Sequence, residues 1–107
     1  MTAVDEAKLI TSKIVSGYNP EKVILFGSTA RGTRNSESDI DLLIIKDTNK
    51  KRPFRVKEVF ETLRGMTRKY PLDTIVYTPT EVKNRLKIGD YFVTEVMTQG
   101  KVMYASW

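Results

Sequence analysis

Apolar positions along the chain switch between helical and strand spacing. After the Ser/Thr-x-x-acid pattern of Thr2 to Asp5, Ala3, Ala7, Ile10 and Ile14 recur every three or four residues up to Gly17, predicting a first helix with one buried stripe. Asn19-Pro20 marks a turn. Val23-Ile24-Leu25-Phe26 is then a short apolar run cut off by Gly27, as expected of a central strand. Ala30 to Ser38 is polar and contains Gly32, so it predicts a loop, with room for one helical turn at its opening. Asp39 to Ile45 reads as a second strand whose Leu-Leu-Ile-Ile run implies cover on both faces.

Helical spacing returns after Pro53, through Val56, Val59, Phe60, Leu63, Met66 and Tyr70, until Pro71 stops it. Leu72 to Tyr77 predicts a third strand. Thr78-Pro79-Thr80-Glu81 offers a capping box with Pro in the first helical position, and Val82 and Leu86 supply that helix's apolar side. Gly89-Asp90 predicts a break and a new cap before Phe92 or Val93, Val96 and Met97; beyond Gly100, Val102 to Tyr104 suits an edge strand. The whole reads as one small α/β domain over residues 1–107 with three core strands, and 107 residues leave no room for a second substrate-binding domain.

Composition narrows the chemistry. With 40% hydrophobic and 29% charged residues the chain has a globular composition. Its longest apolar stretch, Leu42 to Ile45, is too short to span a bilayer, and Asp5, Glu6 and Lys8 do not suit a signal peptide, so a cytoplasmic location without membrane attachment is expected. No cysteine or histidine is present, which removes thiolate and imidazole ligands and the usual neutral-pH base; a metal would be held by oxygen, favouring Mg²⁺, Mn²⁺ or Ca²⁺. The net charge of +5 is concentrated between Lys46 and Lys69, a stretch that either faces an anionic partner or forms a solvated loop and helix face.

The candidate chemistry lies in residues 26–45, FGSTARGTRNSESDIDLLII. Side chains two apart on a strand share a face, so Asp39 and Asp41 project together and repel unless a cation joins them or the strand end is open to water. A divalent ion held by paired carboxylates, with sites left for water and phosphate, relieves that repulsion. Asp73 could add a third carboxylate if the second and third strands are neighbours; three such groups around two ions suit phosphoryl transfer, while alone Asp73 reads equally as a strand-entry residue. Gly27 and Ser28 offer close backbone approach and a hydroxyl donor for phosphate oxygens, and Arg31 and Arg34 could pair with phosphate.

Together, Gly27-Ser28-x-Ala30-Arg31-Gly32 followed by Ser38-Asp39-Ile40-Asp41-Leu42 resembles the signature of the minimal nucleotidyltransferases of the DNA polymerase beta-like superfamily. Leu72-Asp73 is similar to that family's third acidic position. The resemblance implies the small nucleotidyltransferase fold, an α/β (α+β) domain with a short mixed sheet of three to four strands flanked by helices. It further implies that Gly27, Ser28 and Arg31 bind the triphosphate of ATP. Asp39, Asp41 and Asp73 would hold two Mg²⁺ ions, or Mn²⁺, and Asp73 would assist deprotonation of the acceptor. The implied reaction is transfer of AMP with release of pyrophosphate. Proteins similar to this one act as antitoxins that adenylylate a tyrosine of a small helical HEPN-type toxin, which is the partner the resemblance implies; a homo-oligomer is left open. Three alternatives stand beside it: an antitoxin acting by contact alone, an enzyme modifying a small molecule such as an aminoglycoside, and a nucleic-acid binder using the basic stretch. The last is disfavoured because few aromatics interleave its charges.

Overall fold

Thr2 and Asp5 form the expected reciprocal cap. The Thr2 hydroxyl accepts from the Asp5 N–H at 3.1 Å and the Asp5 carboxylate accepts from the Thr2 N–H at 3.0 Å. Helix α1 (Ala3–Tyr18) follows, buries Ala7, Ile10, Ile14 and Tyr18, and ends at Asn19 in the left-handed region. The computed structural model describes residues 1–31 and 39–106. After α1 come β1 (Lys22–Phe26), α2 (Gly27–Arg31), β2 (Ile40–Ile45), α3 (Arg52–Thr62), β3 (Leu72–Tyr77), α4 (Pro79–Lys87), α5 (Tyr91–Gln99) and β4 (Lys101–Ala105). The strands lie in the order β3-β2-β1-β4; β1 is antiparallel to β2 and β4, and β2 is parallel to β3 with α3 in the connection between them. The mixed sheet flanked by helices is therefore as expected, with β4 as the fourth strand, on an edge.

The unbroken apolar run of β2 is explained by cover on both sides. Ile40, Leu42 and Ile44 join Val23, Leu25 and Val76 in a core with Ile10 and Ile14 of α1, Val59 of α3 and Leu63 just past its end. Leu43 and Ile45 point the other way, with Ile24 and Tyr77, against Val82, Val93 and Val96 of α4 and α5. Residue parity along β2 thus decides which helical layer each side chain meets.

The structure corrects the sequence reading in three places. Helix α3 stops at Thr62 instead of continuing to Tyr70. Gly65 takes φ +84°, and Glu6, buried on α1, accepts from the backbone N–H groups of Lys69 and Tyr70 at 2.7 and 2.8 Å, so those amides are satisfied outside any helix. Met66 and Tyr70 still pack against the α1–α3 core, which is why their spacing looked helical. Leu86, assigned to the apolar side of α4, is 39% exposed, leaving Val82 as that helix's buried residue. The helical turn before the loop begins at Gly27 and not at Ala30; Gly32, Arg34 and Ser38 lie outside the described residues.

Part of the basic stretch is taken up by contacts within the chain. Among the described residues, five of its nine cations find a partner: Lys46 the Asn19 carbonyl, Lys50 Glu58, Arg52 the face of the Tyr77 ring, Arg55 Glu81 and Arg68 the Phe60 ring. Arg55 is almost fully buried. It donates to the Lys50 carbonyl at 2.6 Å, to the Val76 carbonyl at 3.1 Å and to both Glu81 oxygens at 2.7 and 3.3 Å. Glu81 also closes the expected capping box with Thr78, so one carboxylate joins α3 to the start of α4. We expect Arg55→Ala to lower stability in urea unfolding by about 2 kcal/mol or more, because the buried Val76 carbonyl and the part-buried Lys50 carbonyl lose their donor and Glu81 its partner. Burial pushes the Glu81 carboxyl up, but donation from Arg55 and the Thr78 N–H and the nearby Arg55 and Arg52 charges outweigh it and hold it below its ordinary value of 4.5. Its stabilising contribution is therefore present above that value and lost as pH falls through the lower folded value. The Arg55→Ala variant should show a weaker loss of stability over that acid window than the wild type.

Candidate active site

Strand pairing assembles the site. Phe26, the last residue of β1, pairs with Asp41 in β2, and Asp41 pairs with Asp73 in the parallel strand β3, so one row crosses three strands. Side chains in such a row share a sheet face, and residue parity puts Asp41 and Asp73 on the side of Leu43 and Ile45, the α4–α5 side. Asp39 stands just before β2. Asp41 is half-buried and Asp73 exposed. The condition on which the third carboxylate depended, that the second and third strands be neighbours, is met.

Asp41 feels the charge of both other acids. Burial, and then the charges of Asp73 and Asp39, push the Asp41 carboxyl above its ordinary value of 3.8. Among the described residues no cation neutralises the cluster by an ion pair. The oxygen-only donor set, on a partly buried strand end with uncompensated charge, fits a hard divalent cation. It is not a closed coordination shell: among the described residues, no three acidic side chains are close enough to hold one ion together. Like charges hold one another apart, and Mg²⁺ characteristically takes only one or two carboxylates, filling its other positions with water and substrate phosphate.

Gly27 links this row to the following turn. Its φ is +78°, and a Cβ placed on it would collide with Oδ2 of Asp41, so the missing side chain serves both the backbone conformation and the approach of the carboxylate. Ser28 follows in the first turn of α2, half-buried. Thr29, passed over as the variable position of the Gly-Ser turn, donates its hydroxyl to the Asp39 carbonyl at 2.8 Å and so ties α2 to the entry of β2. Arg31 ends α2, exposed, and lines with Gly27, Phe26, Phe92 and Gln99 a half-open cavity of about 80 Å³ beside the carboxylate row. Phe92 meets Phe26 edge-on at 5.4 Å, seating the start of α5 against the row. Gly27, Ser28, Arg31, Asp39, Asp41 and Asp73 thus lie around one end of the sheet. The part played by Thr29 and Phe92 had no sequence signal beyond proximity to the turn and a helical apolar position.

The class of protein follows from the glycine-serine turn beside an acidic row on a mixed, helix-flanked sheet, taken with the relatives of the chain. Residues 4–102 match the family model of the nucleotidyltransferase domain, and the chain belongs to that family. It is 33% identical over 84 residues to the putative protein adenylyltransferase of Methanocaldococcus jannaschii, an alignment covering 78% of each protein. Among solved structures it resembles a putative nucleotidyltransferase from Sulfolobus solfataricus, with a TM-score of 0.64 and 27% identity over 95% of this chain and 79% of that one. A chain in a crystal structure of a toxin–antitoxin with AMP-PNP has a TM-score of 0.61, covering 95% of this chain and 74% of that one; at 19% identity the likeness is one of fold.

Proposed function

We propose that this nucleotidyltransferase moves AMP from ATP to a hydroxyl of a protein, with Asp39, Asp41 and Asp73 as the metal-holding carboxylates. The observation that carries the reading is Asp41, in register with Asp73 and set against Gly27. Gly27 and Ser28 would hold triphosphate oxygens, and Arg31 would offset their charge. Two Mg²⁺ ions, when bound, would neutralise phosphate charge and activate the attacking oxygen. Asp73, at the exposed end of the row, would take the acceptor's proton. The acceptor oxygen forms a bond to the α-phosphorus, the bond from that phosphorus to the bridging oxygen breaks, and pyrophosphate leaves. Positioning and charge neutralisation supply most of such catalysis, so a chain without histidine can perform it.

The protein acceptor is supported by the name of the Methanocaldococcus relative, and the antitoxin role by the fold shared with the toxin–antitoxin chain. On this reading the partner is a small helical HEPN-type toxin and the modified group one of its tyrosines, as the resemblance implies. Calorimetric titration with ATP tests the metal and nucleotide assignment. Binding should be measurable with Mg²⁺ and fall at least about tenfold in EDTA, since the acidic row otherwise repels the triphosphate. Equal affinity in EDTA would remove Asp39, Asp41 and Asp73 from the metal site.

A further inference from the structure

The two most exposed large apolar side chains among the described residues, Ile88 at 75% and Tyr91 at 81%, stand with Leu86 at the connection between α4 and α5. This corner is fixed in shape. The N–H groups of Ile88, Gly89 and Asp90 donate to the carbonyls of Asn84, Leu86 and Arg85 at 3.2, 3.1 and 2.9 Å. The Asp90 carboxylate caps α5 through the Val93 N–H at 2.9 Å and holds Arg85 at 3.1 Å. Side chains on so constrained a turn cannot readily tuck inward, and clustered apolar exposure marks an interaction surface.

The corner is continuous with the candidate active site, because Phe92, next to Tyr91, packs on Phe26, which pairs with Asp41. Its charge indicates what covers it. Lys83 and Lys87, one turn apart on α4, are exposed, and among the described residues no ion pair engages them. A two-fold contact centred on these lysines would set them against their equivalents, so like charge disfavours that occupant.

We propose that the α4–α5 corner docks the acceptor protein, through a contact on the acceptor that is apolar at its centre and acidic at its rim. The inference rests on the transfer reading above and deepens it by naming the surface that receives the acceptor.

The test uses the protein that the wild-type chain labels from α-³²P-ATP with Mg²⁺, purified as acceptor. Ile88→Asp and the pair Lys83→Glu with Lys87→Glu should each raise the KM for that acceptor about tenfold or more, leaving calorimetric ATP affinity and the unfolding midpoint unchanged. Tyr91→Phe should transfer normally, since its contact is apolar. An unchanged acceptor KM in both variants would overturn the docking proposal and leave the transfer reading intact. If light scattering shows a wild-type dimer that Ile88→Asp dissociates, a second copy covers the corner and the proposal also falls. Failure of the wild type to label any protein would overturn the transfer reading and this inference with it.

Discussion

Asp41→Asn should abolish nucleotidyl transfer, by roughly a thousandfold or more, while leaving the fold intact and more resistant to unfolding. Both effects come from one carboxylate. Asp41 is the half-buried centre of the acidic row, and burial with the charges of Asp73 and Asp39 already pushes its carboxyl upward. A raised folded value means that the ionised form weakens the folded state above the ordinary value of 3.8, and that this penalty disappears as pH falls below it. Asparagine keeps the shape and removes the charge, so at neutral pH urea unfolding should move to higher denaturant. The stability difference should shrink in acid, where the wild-type carboxyl is itself protonated. Loss of folding in Asp41→Asn would instead make the carboxylate structural and remove it from the proposed metal site.

Gly27→Ala should remove most of the activity by a different route, and lose stability as well. Alanine at φ +78° is strained by about 1 kcal/mol or more, and its methyl group would occupy the place of Oδ2 of Asp41. Either the carboxylate swings away or α2 shifts from the end of β1, and each displaces the phosphate-binding turn from the acids. We expect a lower unfolding midpoint and transfer reduced about a hundredfold or more. Ser28→Ala is the matched control: it should weaken ATP binding with little change in the midpoint, because it removes a hydroxyl without moving the backbone. If Gly27→Ala keeps full transfer, the contact between the turn and Asp41 has no catalytic role.

What could be read from the sequence divides along the distance between interacting residues. The capping boxes at Thr2 and Thr78 and the recapping at Asp90 are visible because their partners lie three residues apart. Strands β1, β2 and β3 were legible from apolar runs bounded by turns, and Asp39 with Asp41 from their two-residue spacing. The meeting of Asp41 with Asp73 was only conditional, since strand order and register are set by packing across the sheet and not by either strand alone. The end of α3 was misplaced because Met66 and Tyr70 serve the same core after the helix has stopped, and the Glu6 carboxylate that satisfies that turn comes from more than sixty residues away. The burial of Arg55 escaped notice for the same reason: its partner, Glu81, lies on another helix, and a basic stretch gives no sign of which of its members will be taken inside.

The most direct test of catalysis is the intact mass of the acceptor after incubation with a small fraction of an equivalent of this chain, ATP and Mg²⁺, the first candidate acceptor being the product of the neighbouring gene. A catalyst turns over, whereas an inhibitor acting by contact must match its target in amount. The account predicts acceptor carrying added AMP in large molar excess over the chain, persisting after the chain is removed and absent with Asp41→Asn. An acceptor of unchanged mass, neutralised only by an equal amount of chain and equally well by Asp41→Asn, would contradict it.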